Sequence, residues 1–287
     1  MAIGVHTNYA QIVAANTLNS TNTDFSKNME RLSTGYRINS ASDDAAGLQI
    51  ATRLNTETRG IAVAQRNAGD AISYLQTAEG AFDEMTNIAQ RMHDLGIQST
   101  NGTNGTTEQA AINAEFTELA KELDSIAKGT RFGGTSVLTD LNANAGIITF
   151  QLGTDTTVDS LQVDVTNGGA SSALADILTA VDNTGGGALD GSATLDAATK
   201  IADVSTLLDN ISEVRSTFGA AINRVDHRMT NLSNTSANLQ AASGRIMDVD
   251  FATEGAAMSK NQMLMQSGAQ MLSQTKMVPQ LAMQLLG

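Results

Sequence analysis

Three histidines, His6, His93 and His227, are the residues best suited by type to acid–base chemistry, and their spacing speaks against it. They lie far apart, none has a neighbouring histidine, and no HExxH pair is present. The chain has no cysteine, which removes disulfides, thiolate nucleophiles and Cys-based zinc sites together. Each histidine therefore reads as a solvated helix residue. Gly185, Gly186 and Gly187 stand in a row, but no Gly-Lys-Ser/Thr follows a glycine turn and no strand and helix flank the run, so it makes no phosphate cradle. Asp248, Asp250 and Glu254 sit at helical spacing, which does not wrap a cation as a ligand loop does, and they read as surface acids. No catalytic, cofactor-binding or metal residue is expected.

The elements around these residues are long helices. From about Ala197 to Asp250, alternating steps of three and four give Ile201, Val204, Leu208, Ile211, Arg215, Phe218, Ile222, Val225, Met229, Leu232, Ser236, Leu239, Ser243 and Ile246. Steps averaging 3.5 residues place these on one stripe of a helix, the pattern of a coiled-coil seam. At 1.5 Å per residue, about 50 residues make a rod of roughly 75 Å, which needs an equally long partner. The plain reading is a core helix of a bundle; the sharper one is a seam in an elongated, self-assembling molecule.

Composition agrees with a helical structural protein. Of 287 residues only 3% are aromatic and 16% charged, with no Trp, one Pro and 12 Met, less aromatic surface than a compact enzyme of this size usually buries. A net charge of −13 speaks against phosphate-backbone binding, which needs clustered Lys and Arg, so no nucleic-acid partner is expected. No apolar run approaches the ~20 residues of a membrane span, and MAIGVHTNYAQIVAANTLNS lacks the basic and apolar regions of a cleavable signal.

Taken in order, residues 1–40 carry Ile12, Leu18, Phe25, Met29 and Leu32 at roughly helical spacing among Asn, Thr and Ser, which are poor helix formers. Such a segment is marginal alone and is ordered by partners. Gly35 ends this helix. Ser40 or Ser42 is expected to cap the next, with Asp43 and Asp44 in its first turn. The second helix runs to about Gln98 with the stripe Leu54, Thr58, Ile61, Ala68, Ile72, Leu75, Ala78, Phe82, Met85, Ala89, Met92. It nearly equals the C-terminal rod in length, so the two are natural partners. Gly60, Gly69 and Gly80 each cost about 1 kcal/mol against Ala, for which close backbone approach is the expected compensation. Ser99 to Thr107 holds two Asn-Gly pairs and reads as a turn. Thr106-x-x-Gln109 reads as a capping box opening a third helix with Ile112, Phe116, Leu119, Leu123 and Ile126.

After Gly133 and Gly134 the pattern changes. ITFQLG (148–153) and SLQVDV (160–165) alternate apolar and polar and read as a β-hairpin. Residues 167–194 form a Gly-, Ala-, Asp- and Thr-rich region that the sequence leaves unassigned. From Phe251 a broad, Met-rich stripe includes Met258, Met263, Leu264, Met265, Met271, Leu272, Met277, Leu281, Leu285 and Leu286, with Pro279 expected to limit the helix. Both termini are thus apolar helices with no globular domain to dock on. The fold class is mainly α: an elongated bundle or coiled coil of N- and C-terminal segments around a small hairpin-containing middle.

The run RLSTGYRINSASDDAAGLQIATRL resembles the N-terminal signature of bacterial flagellins, the filament subunits of the flagellum. Ser73 to Ala81 (SYLQTAEGA) and the QRM-x-x-L run at Gln90 to Leu95 fit as well. RIMDVDFATE (245–254), MSKNQMLMQSGAQMLSQ and the VPQ…LLG ending resemble the family's C-terminal signature. The resemblance covers roughly the first 140 and last 90 residues and extends to the hairpin.

It implies nested layers: residues 1–42 with 251–287 as an inner terminal coiled coil, 43–140 with 195–250 as a helical rod, and 141–194 as a variable surface region. It implies a homopolymer that is exported without a cleavable signal peptide, is extracellular and serves motility, its terminal helices folding on assembly. Self-assembly is expected to use Ile12, Leu18, Phe25, Leu32, Arg31, Arg37, Asp43, Asp44, Arg245, Asp248, Phe251, Leu264, Leu272, Leu281, Leu285 and Leu286. For the link around Arg31, Arg37, Asp43 and Asp44, capping and solvation stand beside inter-subunit ion pairs as alternatives. The partners implied are the subunit itself, a flagellar export chaperone, and the cap and hook–filament junction proteins. Gln90, Arg91 and Leu95 with Glu115 resemble the surface recognised by a Toll-like receptor of a host, although His93 stands where relatives often carry Arg. Two rivals share features with this reading: a hook–filament junction protein, and an extracellular adhesin or enzyme-bearing filament protein with its function in 141–194.

Overall fold

The computed structural model describes residues 8–143, 147–155, 158–164, 170–181 and 197–284. In order these form α1 (Tyr9–Thr34), α2 (Ala45–Ser99), α3 (Thr106–Gly129), β1 (Arg131–Phe132), β2 (Thr135–Ser136), α4 (Val137–Ala143), β3 (Ile147–Gln151), β4 (Ser160–Asp164), α5 (Ala170–Val181), α6 (Ala197–Met247) and α7 (Phe251–Gln284). The fold is mainly α with two small antiparallel hairpins, β1–β2 and β3–β4. Two compact units divide the chain. One joins Met1–Thr58 to Ala237–Gly287 and the other is Arg59–Ser236, so both boundaries fall inside the long helices α2 and α6.

The second unit holds the apolar core. Leu75, Phe82, Met85 and Met92 of α2, Phe116 and Leu123 of α3, Leu138 and Leu141 of α4, and Val204, Ile211 and Phe218 of α6 are all buried in one cluster. The Phe82 and Phe218 rings meet at 5.8 Å between centroids, joining α2 to α6 as their matched lengths predicted. The α6 seam is correct in spacing but rotated from the expected stripe. Val204, Ile211, Phe218 and Val225 are buried as read, whereas Leu207, Val214 and Ala221 replace Leu208, Arg215 and Ile222 at the centre. The reason is that α6 is covered by several elements of this unit, not by one coiled-coil mate, and its buried face widens accordingly. Arg215 sits at the edge, with Nη2 2.8 Å from Glu79 and 3.2 Å from Asp83.

The expected hairpin is present: β3 pairs with β4 from Ile147↔Asp164 to Gln151↔Ser160. Its buried Leu161, with the adjoining Leu152, packs on Ala68 and Val225. Asn67 Nδ2 donates to the Gln151 carbonyl at 3.0 Å and ties it to α2. Three elements went unread: the β1–β2 turn, α4 and α5. The first turns on Gly133 (φ 60°) and Gly134 (φ 94°), the left-handed pair that a two-residue hairpin loop requires. Tyr74 stands beside it, edge-on to Phe132 and Phe150, and its hydroxyl donates to the Val137 carbonyl at 3.2 Å.

Several local expectations are corrected. The cap of α2 is Asp44, whose Oδ1 accepts from Gly47 N at 2.9 Å; Ser40 and Ser42 lie in the preceding turn. No capping box opens α3, because Thr106 is already helical and Gly105 is the cap with no side-chain bond. Gly69 and Gly80 face open space, so close approach does not explain them. It does explain Gly60, where a Cβ would strike Thr154. Finally, α7 continues through Pro279 to Gln284.

Candidate assembly surface

In the first unit α1 and α7 run antiparallel along each other. Asn8 Nδ2 donates to the Thr275 carbonyl at 2.9 Å, Leu18 packs at Gly268, and Arg31 Nη1 lies 3.5 Å from Glu254. The half-buried stripe on α1 is Ala14, Leu18, Thr21, Phe25 and Leu32, facing Met258, Asn261, Met265, Gly268, Leu272 and Thr275 on α7. Both stripes step by three and four, the heptad pattern. α1 is built largely from poor formers, and many of its hydroxyls bond back one turn, as Thr17 does to Val13 and Thr21 to Thr17, which adds nothing to helix stability.

This pair buries very little. Asn28 is the single buried residue of α1. Large apolar side chains point away from the seam instead: Tyr9, Ile12, Val13 and Met29 on α1, and Phe251, Met263, Leu264, Met271 and Met277 on α7, with Phe251 60% and Met263 65% exposed. The contrast with the second unit, where Phe82, Phe116 and Phe218 are wholly covered, is the main physical asymmetry of the molecule. Large apolar side chains left exposed on so thinly buried a helix pair are the kind of surface that another chain would cover.

The two links beside this pair are stitched together. Val249 N donates to the Gly35 carbonyl at 3.0 Å and Arg37 N to the Met247 carbonyl at 2.6 Å, around a bridge between Tyr36 and Asp248. Gly35 ends α1 in the left-handed conformation at φ 76°. Arg37 Nη2 donates to the Ile246 carbonyl at 2.9 Å. Asp43 accepts from the Asn39 and Ser40 amides, and these bonds hold its carboxyl below its ordinary value. Asp250 accepts from Thr253 Oγ1 and from the Thr253 and Ala252 amides at the start of α7, with the same effect. Within one chain, then, the acids cap and turn the backbone, while the arginines tie one terminal segment to the other.

The sequence-singled residues fall into place accordingly. Leu18, Phe25, Leu32 and Leu272 lie on the seam; Ile12, Phe251 and Leu264 are exposed. Arg245 and Asp248 are exposed beside the corner. Leu281 lies within α7, and Leu285 and Leu286 fall outside the described residues. Asn28 was missed, although its place at step three after Phe25 was the available signal. Among the described residues no cluster of His, Cys, Asp or Glu has the makings of a metal site. His93 and His227 are far apart in the chain, and His6 and Gly185–Gly187 lie outside the described residues. Gln90, Arg91 and Glu115 are exposed and Arg91 pairs with Glu115 at 2.6 Å. Leu95 is a correction: at 1% exposure it belongs to the core and is not presented to a receptor. No described helix is long and apolar enough to cross a membrane.

Two family profiles match, the bacterial flagellin N-terminal helical region over residues 5–143 and the bacterial flagellin C-terminal helical region over 201–286. Polar flagellin A of Vibrio parahaemolyticus is 34% identical and flagellin C of Vibrio cholerae 35% identical, each alignment spanning the whole of both chains. Among solved structures, the Bacillus cereus flagellin is 33% identical, covering 62% of this chain and 94% of that one with a TM-score of 0.45. A Vibrio parahaemolyticus chain described as flagellar hook-associated is 14% identical, covers 72% of this chain and all of the other at a TM-score of 0.54, and shares the fold.

Proposed function

Since the chain belongs to the bacterial flagellin family, we propose that it polymerises into the flagellar filament and that α1 and α7 complete their folding against neighbouring copies. Family membership supports the role of structural filament subunit, a non-enzymatic one, outside the cell. The observation that carries the finer reading is the exposed apolar face of the α1–α7 pair. Ordering each backbone residue costs about 1–2 kcal/mol, while covering a Leu, Ile or Met contributes about 1.5–3 kcal/mol. Helices of 26 and 34 residues with one buried side chain on α1 cannot meet that cost within one chain. Neighbouring subunits that cover Ile12, Phe251, Met263 and Leu264 supply the difference, which makes assembly a coupled folding and binding event. A heterologous contact of this kind extends into a helical polymer.

On this reading residues 1–42 and 251–287 line the inner layer, 43–140 and 195–250 form the rod, and 141–194 faces solvent. An export chaperone, cap and junction proteins, and a host Toll-like receptor at Gln90, Arg91 and Glu115 are partners the reading entails. Export without a cleavable signal belongs to it too. The junction-protein alternative is not favoured: full-length relatives at 34–35% are named flagellins, whereas the hook-associated chain stands at 14%.

Electron microscopy of the purified chain with short filament seeds tests the proposal. Long filaments are expected from the intact protein and none from a version trimmed to residues 42–250. An intact chain that stays monomeric beside elongating control flagellin would overturn it.

A further inference from the structure

Glu254 brings a carboxylate into the α1–α7 seam, its side chain only 12% exposed. Two groups one turn apart on α1 converge on its Oε1: Asn28 Nδ2 at 2.8 Å and Arg31 Nη1 at 3.5 Å. In this amide orientation, the one that satisfies every neighbour, Asn28 also donates to the Asp24 carbonyl at 3.1 Å, and its oxygen accepts from Asn261 Nδ2 at 3.1 Å. Asn28 is 8% exposed.

We propose that Asn28 and Arg31 form a receptor for the Glu254 carboxylate, and that this receptor selects the alignment in which α1 lies on α7. The remaining seam residues discriminate poorly. Leu18, Phe25 and Leu32 recur by heptad steps, as do Met258, Met265 and Leu272, and apolar contact is non-directional. A slide of seven residues brings such stripes together again, with Leu18 opposite Thr275 in place of Gly268. Glu254 then loses both Asn28 and Arg31, while Asn28 faces Asn261 where the carboxylate stood and Gly268 where Asn261 stood. That alignment forfeits both bonds to the carboxylate and offers Asn28 an amide and a glycine in their place, so discrimination comes from bonds that only the observed alignment makes. The backbone bonds at Gly35–Val249 and Arg37–Met247 read no side-chain identity, and the slide requires that they open, so the receptor acts while the two helices pair and the corner has yet to close.

Disulfide trapping tests this in the full chain, which has no cysteine of its own. A Cβ at Gly268 lies 4.0 Å from Leu18 Cβ, within the ~3.5–4.5 Å of a disulfide. Leu18→Cys/Gly268→Cys therefore reports the observed alignment, and Leu18→Cys/Thr275→Cys reports the slide. Both are read in the free chain, where the ratio of the two links reports the alignment of the ordered fraction, and in polymer, so the answer does not hang on filament formation. The first pair alone is expected to close in the otherwise unaltered chain. Adding Asn28→Leu and Glu254→Leu removes receptor and carboxylate together and raises the 18–275 link about tenfold or more. Glu254→Gln, which keeps an acceptor for Asn28, retains the 18–268 pattern. Persistence of the 18–268 link alone in the double leucine variant would overturn the proposal. So would loss of both links, because the cluster would then hold the helices together without choosing their alignment.

Discussion

Val249 and Gly35 share a backbone hydrogen bond of 3.0 Å across more than two hundred residues of sequence. The break between α1 and α2 and the break between α6 and α7 therefore lie side by side, and both terminal helices leave from one corner. Gly35 is left-handed there, Asp44 caps α2, and Asp250 caps α7. The corner is fixed by backbone bonds and caps, while the helices beyond it remain thinly buried.

Substitution on the two faces separates folding from assembly. Leu264→Asn, at a side chain 47% exposed, should change the stability of the free chain by no more than about 0.5 kcal/mol. The same change should raise the critical concentration for seeded elongation about tenfold or more, as expected when a contact worth over about 1.4 kcal/mol is lost. Phe82→Ala, in the core, should instead cost about 3–5 kcal/mol in thermal or denaturant unfolding.

Glycines in α2 should respond in opposite directions. A Cβ on Gly47 would lie 2.5 Å from Asp44 Oδ2 and 2.8 Å from Ile38 Cδ1, so Gly47→Ala should destabilise by about 1–3 kcal/mol. Gly69→Ala and Gly80→Ala meet nothing within 4 Å and should each stabilise the free chain by up to about 1 kcal/mol. Denaturant midpoints of the three variants make the comparison. If either of the last two also impairs elongation, that face is covered in the polymer.

Tyr74 should govern alkaline behaviour. Burial, with a smaller push from Asp140, raises its phenol from 10.0 to about 12. A folded value above the unfolded one means stability that is whole below pH 10 and lost as pH rises toward 12. Absorbance titration should therefore show one phenol ionising near 12, absent in Tyr74→Phe. That variant should also forfeit about 0.5–1.5 kcal/mol with the bond to Val137.

Acid should act on the corner. Asp43 and Asp250 are held below their ordinary value of 3.8 by hydrogen bonds from Asn39 and Ser40 and from Thr253 and Ala252. Depressed values mean a contribution fully present above pH 3.8 and lost as pH falls through the folded value. Circular dichroism below pH 3.8 should show helix loss. Asp250→Ala should remove part of that pH dependence by abolishing the α7 cap at all pH values.

The long helices were legible because heptad spacing survives in single letters: Val204, Ile211, Phe218 and Val225 were placed correctly on α6. Its exact face was not, since whether Leu207 or Leu208 is central depends on which elements cover the helix, and α4, α5 and β4 all join that core. The Gly133–Gly134 turn was visible as a break but not as a hairpin, because two-residue strands carry no alternation to read. On the terminal pair, Leu18, Phe25 and Leu32 are legible by their hydrophobicity, while Asn28 reads as one more solvated amide among the Asn, Thr and Ser around it. A buried amide looks like any other until its partners Glu254 and Asn261, far along the chain, are brought to it.

Amide hydrogen exchange of the free chain and of the polymer, read by segment, tests the central claim most directly. Coupled folding predicts that α1 and α7 exchange rapidly in the free chain and gain about a thousandfold protection on polymerisation, while the segments around Phe82 and Phe218 are slow in both states. If α1 and α7 in the free chain were already as protected as those core segments, the terminal pair would be a finished structure before assembly, and the account would be wrong.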